Sequence, residues 1–281
     1  MFVAVAIGIV VPLITLVIGG FLAFRPAVSG GRLAMAHTRF DDVRLGLQDQ
    51  IGQWPAAALT WFAGVGLVGS VFWLLGVGAH ALQGPVDVPV FHFFEHRQVG
   101  GFWQHANNLL TQMGNSTPTQ VLAVIGAIVF AVAWRRHRYV PPILFLFGYL
   151  TEKYSQAALK TLVHRGHPPT TLGTWPSGGC GRLLLIYGLY AFCLIVAVPG
   201  MTRRLRILAW TVVAFLAAIE AYTRTYLLKH WVTDVVGGLA YGVVLLLVMM
   251  AVGRVLIGRE PAHRADVALP RQTRNSEKVA G

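Results

Sequence analysis

Three polar segments of the sequence contain the residue types that phosphate chemistry requires. The last of them reads Thr223-Arg224-x5-His230-x3-Asp234. At a spacing of four residues on a helix, His230 and Asp234 share one face, and a carboxylate beside an imidazole fixes its tautomer and raises its basicity. We therefore predict that His230 acts as a nucleophile or base and that Asp234 orients it.

The other two segments supply groups that bind an anion. The first extends from Lys160 to Pro168 at the end of an apolar run, and the second, Pro-Ser-Gly-Gly at 176–179, leads into the next run. Glycines let a backbone approach an anion, and the N–H groups at a helix start point towards it. Cations at membrane depth are costly and tend to serve function. The predicted phosphate-binding residues are Lys160, His167, Ser177, Gly178, Gly179 and Arg224.

Each of these residues taken alone also fits a structural role. Lys160 has the form of a side chain that reaches the membrane interface, and Ser177 that of a helix N-cap. Asp234 is favourable near a helix start because of the helix dipole, and His230 fits an ordinary interfacial histidine. The functional prediction therefore depends on the three segments lying together at one face of the membrane.

Long apolar runs must position these segments. Only 12% of the 281 residues are charged, against about 25% in soluble domains, and a spanning helix needs about 20 mostly apolar residues. The predicted spanning helices are Phe2–Phe24, Ala56–Leu82, Pro118–Trp134, Tyr139–Leu162, Arg182–Val198, Ile207–Tyr222 and Trp231–Ile257. The predicted fold class is therefore an all-α, polytopic transmembrane helical bundle.

The chain divides into three predicted parts. Residues 1–55 contain an N-terminal helix, too long for the apolar core of a secretory signal, and a basic cytoplasmic loop. Residues 56–257 form the membrane domain, and residues 258–281 form a polar cytoplasmic tail that we expect to be disordered. The two cysteines, Cys180 and Cys193, form no disulfide framework and no metal-binding pattern.

The net charge of +12 comes from clusters of basic residues beside apolar runs, which indicates membrane orientation rather than nucleic-acid binding. The clusters at 25–44, 135–138, 203–206 and in the tail all fall on one side if seven helices alternate. The positive-inside rule makes that side cytoplasmic. The three polar segments are then predicted to face the non-cytoplasmic side of the plasma membrane.

In order and spacing, the three segments resemble the motifs of the superfamily of type 2 phosphatidic acid phosphatases and vanadium haloperoxidases. The family motifs are Lys-x6-Arg-Pro, Pro-Ser-Gly-His and Ser-Arg-x5-His-x3-Asp. In this chain they stand as Lys160-x6-His167-Pro168, Pro176-Ser177-Gly178-Gly179 and Thr223-Arg224-x5-His230-x3-Asp234. The resemblance extends from Ala56 to Ile257 and implies a six-helix membrane core, to which the first helix is an addition.

The resemblance also implies a role for each matching residue. It implies that His230 attacks phosphorus and forms a phosphohistidine, and that Asp234 orients the imidazole. The residues implied to hold the phosphate oxygens are Lys160, Arg224, Ser177 and the backbone of Gly178. No metal or other cofactor is implied for the phosphatases of this family, and the implied partner is a membrane lipid that bears phosphate or diphosphate.

Two positions depart from the family motifs. His167 stands where the family has an arginine, which removes a bidentate and permanently charged ligand. Gly179 stands where the family has a histidine that acts as an acid, and general-acid help is worth about 10²–10⁴-fold in rate. Arg165 is a candidate to replace the lost arginine. The candidates to supply the proton are His92, His96 and His105.

The leading hypothesis is a phosphatase for a lipid phosphate or diphosphate, with a phosphatidic-acid-like lipid or a polyprenyl diphosphate as substrate. The two departures leave open a catalytically impaired relative that binds lipid phosphate without turnover. A transporter or channel subunit of another fold is the third hypothesis. It predicts polar residues spread through the helix interiors, whereas here they cluster near helix ends.

The loop before the third predicted helix carries a further expectation. Residues Pro89–Gly114 are predicted to form an amphipathic helix at the membrane interface, with Phe91, Phe94 and Trp103 at the headgroup boundary. Such a helix either guides a lipid tail to the site or seals the bundle, and the sequence favours neither role.

Overall fold

The computed structural model describes residues 43–169, 174–198 and 200–258. The predicted helix Phe2–Phe24 and the tail beyond Gly258 lie outside the described residues. From residue 53 onward the α-helices are α1 (Gln53–Leu82), α2 (Val88–Glu95), α3 (Phe102–Leu110), α4 (Ser116–Ala133), α5 (Val140–Pro142), α6 (Gly148–Val163), α7 (Gly178–Ala197), α8 (Arg203–Tyr226) and α9 (Val232–Ile257). Within this part of the chain no β-strand occurs, and the predicted all-α fold class is confirmed.

Two π-helical turns join short helices to longer ones. Gln83–Asp87 connects α1 to α2, which together form one continuous helical segment. Ile143–Phe147 connects α5 to α6 in the same way. The segments long and apolar enough to cross a membrane are Gln53–Glu95, Ser116–Ala133, Gly178–Ala197, Arg203–Tyr226 and Val232–Ile257. Helix α6 has only 16 residues and carries charged side chains, so a membrane crossing by Tyr139–Leu162 stays a prediction.

Helix α9 is at the centre of the bundle and packs mainly against α1 and α7. Tyr241, Leu245 and Met249 are fully buried, as expected for a helix that is hydrophobic on all sides. Small residues allow the close contact with α7, because a side-chain carbon at Gly242 would lie 2.7 Å from the carbonyl oxygen of Gly181. The tight packing holds the first turns of both helices next to each other.

Consecutive long helices run in opposite directions. The ends of α6 and α8 and the starts of α7 and α9 therefore meet at one end of the bundle, where the N–H of Ser177 donates to the carbonyl oxygen of Asp234 at 2.9 Å. At the opposite end, the Tyr139 hydroxyl donates to the carbonyl oxygen of Leu256 at 2.9 Å. All three polar segments thus lie at the same end of the bundle.

Trp175 fixes the segment that leads into α7. Its indole Nε1 donates to the carbonyl oxygen of Phe72 at 2.9 Å. Its ring packs on Gly76 of α1 and Gly237 of α9, and neither position leaves room for a side-chain carbon. The start of α7 is therefore held between the two helices that form the centre of the bundle.

The prediction of a single amphipathic helix over Pro89–Gly114 is wrong, because α2 and α3 are separated by a turn. Gly101 in this turn has a φ of 69°, a conformation that favours glycine and interrupts a helix. Phe91 and Phe94, predicted at the headgroup boundary, belong to a buried cluster. Its members are Phe91, Phe94, Tyr226, Leu228 and Trp231. The segment with Phe91 and Phe94 therefore seals the bundle, whereas Trp103 on α3 is exposed.

Candidate active site

His230 and Asp234 lie together at the start of α9. His230 precedes the helix, Asp234 is in its first turn, and both are buried. His230 Nδ1 is 3.8 Å from Asp234 Oδ2, which is longer than a hydrogen bond, but catalytic hydrogen bonds often tighten only when substrate binds. Burial lowers the pKa of His230 below its ordinary value, and the Asp234 carboxylate acts in the opposite direction. The net effect favours the neutral imidazole, which is the nucleophilic form.

The other oxygen of Asp234 is held by a network that sequence reasoning did not predict. Arg165 donates from Nη1 to Asp234 Oδ1 at 2.6 Å and from Nη2 to Asp87 Oδ2. Asp87 also accepts from Thr233, at 2.9 Å from the backbone N–H and at 2.8 Å from the hydroxyl. The charged side chains of this network are fully buried. Arg165 is therefore enclosed between two carboxylates and is not available to replace the lost phosphate ligand.

The start of α7 presents hydrogen-bond donors that have no partner among the described residues. Ser177 is the N-cap residue, and its buried hydroxyl has no hydrogen-bond partner among the described residues. The amides of Gly178, Gly179 and Cys180 also donate to no acceptor in the described part of the chain, as is typical of the first turn of a helix. These groups are suited to bind an anion.

Arg224 lies near the end of α8 and packs directly on the start of α7. Its Nε donates to Glu220 Oε1 at 2.7 Å, and its Nη2 donates to Asn115 Oδ1 at 2.6 Å. A side-chain carbon at Gly179 would lie 2.5–2.7 Å from the Arg224 guanidinium. The glycine therefore makes room for Arg224, whose guanidinium occupies the space beside the position at which the family motif has a histidine.

Lys160 and Arg182 bring further positive charge to the start of α7. Lys160 is half-buried in the last turn of α6 and donates no hydrogen bond to a described residue. It lies within electrostatic range of Arg182, Arg224 and Asp234. Arg182 Nη1 is 3.4 Å from the buried Glu152 Oε2. These cations together make negative charge favourable beside the unpaired amides of α7.

Four histidines considered from the sequence lie outside this group. His167 is exposed, and its Nδ1 lies 2.7 Å from the carbonyl oxygen of Pro168. His92, His96 and His105 are exposed as well. Among the described residues, none of these four histidines contacts another predicted site residue.

Sequence reasoning missed four charged residues of the site. They are Asp87, Glu152, Arg182 and Glu220. A charge within an apolar run is costly in a membrane and marks function, and this signal was present for all except Asp87. Glu220 also precedes Arg224 by the four residues of a helical ion pair. Asp87 gave no such signal, because its partner Arg165 is 78 positions away in the sequence.

The arrangement combines a nucleophile with donors for an oxyanion. Guanidinium groups bind phosphate through parallel hydrogen bonds, and the amides at the start of α7 add donors from the backbone. Among the described residues, no three His, Cys, Asp or Glu side chains are grouped so as to hold a metal ion. The donors that the described residues bring together are of the kind that can bind a phosphate.

The fold and the site define the class of protein as a helical membrane protein with a cluster of hydrogen-bond donors and cations near a buried histidine. Residues 121–256 match the PAP2 superfamily, and this region contains all three motifs. The resemblance to this family that was inferred from the motifs is therefore confirmed over this part of the chain.

The structure is similar to the crystal structure of a transmembrane PAP2-type phosphatidylglycerolphosphate phosphatase from Bacillus subtilis. The two have a TM-score of 0.56 and 19% sequence identity, over 73% of this chain and 98% of that chain. At this level of identity the likeness concerns the fold alone. A comparison with curated proteins gives no match.

Proposed function

We propose that this protein is an integral membrane phosphatase that releases inorganic phosphate from a lipid phosphate or diphosphate. The observation that carries the proposal is a buried histidine, His230, which faces Asp234 beside the cations Lys160 and Arg224 and the unpaired amides of α7. The match of residues 121–256 to the PAP2 superfamily supports the type of reaction.

The proposed reaction has two steps. Because Nδ1 of His230 faces Asp234, Nε2 attacks phosphorus, the bond from phosphorus to the leaving oxygen breaks, and a phosphohistidine forms. Lys160 and Arg224 stabilise the negative charge on the phosphoryl oxygens, and Asp234 stabilises the positive charge on the ring. Water then attacks the phosphohistidine, phosphate leaves, and neutral His230 is restored.

The space beside Gly179 favours a diphosphate substrate. The Arg224 guanidinium occupies this space, and an arginine does not give up a proton. When a diphosphate is cleaved, the lipid monophosphate leaves as a stable anion, whereas a monoester expels an alkoxide that requires a proton from an acid. We therefore place a polyprenyl or other lipid diphosphate ahead of a phosphatidic-acid-like monoester.

Phosphate release by the purified full-length chain tests this proposal. We expect a higher kcat/KM for a lipid diphosphate than for the monophosphate of the same lipid. His230→Ala is expected to abolish release and to retain affinity for orthovanadate, a tetrahedral oxyanion that resembles phosphate. Arg204→Ala is the matched control, because this arginine is exposed at the opposite end of the bundle.

A binding protein without turnover is the second candidate function. The observations that favour it are the 3.8 Å gap between His230 and Asp234 and the absence of an acid side chain at Gly179. It predicts that wild-type protein binds orthovanadate but releases no phosphate from any lipid tested. That result would reject the enzymatic proposal.

We also propose that the site faces the non-cytoplasmic side of the plasma membrane. The basic turn Arg135–His137 and the basic start of α8 lie at the opposite end of the bundle, which supports this orientation. Both native cysteines are buried, so single exposed cysteines report topology. A membrane-impermeant maleimide is expected to label Asn108→Cys on intact cells and to leave Arg204→Cys unlabelled, and the reverse pattern would contradict the orientation.

A further inference from the structure

Arg182 enters the site from α7 and belongs to none of the three motifs. It lies one turn after Gly178 on the same helix. Its Nη1 is 3.4 Å from Glu152 Oε2, and its Nε is 3.4 Å from the carbonyl oxygen of Gly114. Charge-assisted hydrogen bonds are usually about 2.7–2.9 Å long. The guanidinium is therefore located by these groups, but its hydrogen-bonding capacity is not used up by the described residues.

The Arg182 guanidinium lies beside the helix start that is suited to bind phosphate. A side-chain carbon at Gly178 would lie 3.2 Å from Arg182 Nη1. Lys160 is close enough to Arg182 and to Arg224 to be repelled by both. Glu152 is fully buried, whereas the Arg182 side chain keeps 15% of its surface exposed. Cations that are held together towards an accessible region indicate an anion that binds between them.

The first motif does not provide the guanidinium that a phosphate needs for bidentate binding. His167 is exposed and bonded to the neighbouring carbonyl oxygen, and Arg165 is enclosed between carboxylates. We propose that Arg182 is a phosphate-binding residue that replaces the missing arginine of the first motif, and that Glu152 positions it. This inference rests on the proposed function, because the phosphate in question is that of the lipid substrate.

Two substitutions at Arg182 test the inference in the purified full-length chain. Arg182→Lys keeps the charge but loses the planar, bidentate fork, and Arg182→Gln loses both. We expect kcat/KM for phosphate release to fall about tenfold in Arg182→Lys and about a hundredfold in Arg182→Gln. Affinity for orthovanadate is expected to fall in the same order. Arg204→Gln, at the exposed opposite end, is expected to match wild-type protein in both measurements.

The loss of Arg182 leaves the buried Glu152 without its cation, which endangers folding. The double variant Arg182→Gln/Glu152→Gln removes the unpaired charge and keeps the test decisive if the single variant does not fold. A folded double variant with wild-type kcat/KM and wild-type orthovanadate affinity would overturn the inference and leave the proposed function intact.

The failure of the proposed function gives a different result. In that case wild-type protein releases no phosphate from any lipid, and orthovanadate binding alone decides the role of Arg182. Lost binding in Arg182→Gln supports the inference, and unchanged binding overturns it.

Discussion

Two groups of arginines at the same end of the bundle differ in how their charge is balanced. Arg165 is fully buried and bonded to two carboxylates, Asp87 and Asp234. Arg182 and Arg224 each contact one carboxylate, and their side chains remain 15% and 10% exposed. The group formed by Arg165 and its two carboxylates therefore has an excess of negative charge. The group formed by Arg182 and Arg224 keeps positive charge at an accessible surface.

Under the proposed function, this difference separates a positioning role from a phosphate-binding role. An arginine between two carboxylates does not attract a further anion, but it holds Asp234 and through it orders His230. An arginine with a single carboxylate partner, such as Arg182 or Arg224, can still present charge and a free donor to a ligand. Membership of a motif does not decide the role, since Arg165 lies within the first motif and Arg182 lies outside all three.

The largest expected effect is that of Arg165→Ala. This change leaves Asp87 and Asp234 buried without their shared cation, and breaking a buried ion pair costs about 3–5 kcal/mol of folding free energy. We expect a large fall in the thermal unfolding midpoint in detergent, together with loss of phosphate release. If Arg165→Ala stays as stable as wild-type protein and loses only orthovanadate affinity, Arg165 belongs to the binding group instead.

The opposite behaviour is expected for Arg224→Lys. Lysine still pairs with Glu220 but loses the fork that also reaches Asn115, so the unfolding midpoint is expected to change little. A lost charge-assisted hydrogen bond to phosphate is worth about 1.5–3 kcal/mol, which corresponds to a fall in kcat/KM of about ten- to a hundredfold. Equal losses of stability in Arg224→Lys and in Arg165→Lys would remove the distinction between the two groups.

A smaller effect is expected from Gly179→Ala. The added carbon would lie 2.5–2.7 Å from the Arg224 guanidinium, and overpacking of this kind costs about 1–3 kcal/mol. We expect kcat/KM to fall about tenfold, and Gly179→His to lower it further rather than to restore an acid. Gly66→Ala is the control, because no described atom outside its own stretch of helix backbone lies within 4 Å of the added carbon. Higher activity in Gly179→His would mean that the space beside the glycine admits an acid.

The pH dependence of turnover gives the finest test of how Asp234 acts on His230. Burial lowers the pKa of His230 from its ordinary value of 6.5, so the acid limb of kcat/KM is expected below that pH, where protonation removes the nucleophile. The Asp234 carboxylate raises this pKa. Asp234→Asn is therefore expected to move the acid limb to lower pH, and a shift to higher pH would contradict the assigned contact.

Apolar runs predicted the membrane helices well but missed their polar ends. The predicted start of α7 at Arg182 is four residues late, because the glycines at 178, 179 and 181 carry little helix signal. Helix α8 extends beyond Ile207–Tyr222 at both ends into charged residues, including Arg224. Hydropathy detects the part of a helix that lies in lipid. It therefore misses the polar first and last turns, which contain the candidate site residues.

Local patterns in the sequence determined the helical frame, the closeness of His230 to Asp234, and the position of all three motifs at one end of the bundle. The tertiary structure decided which arginine met which carboxylate, and that Arg224 packs on Gly179. The physical reason is that periodicity acts within a few residues, whereas these contacts depend on how distant helices pack. An apolar pattern specifies that a helix is buried, but not which polar neighbour its charged residues meet.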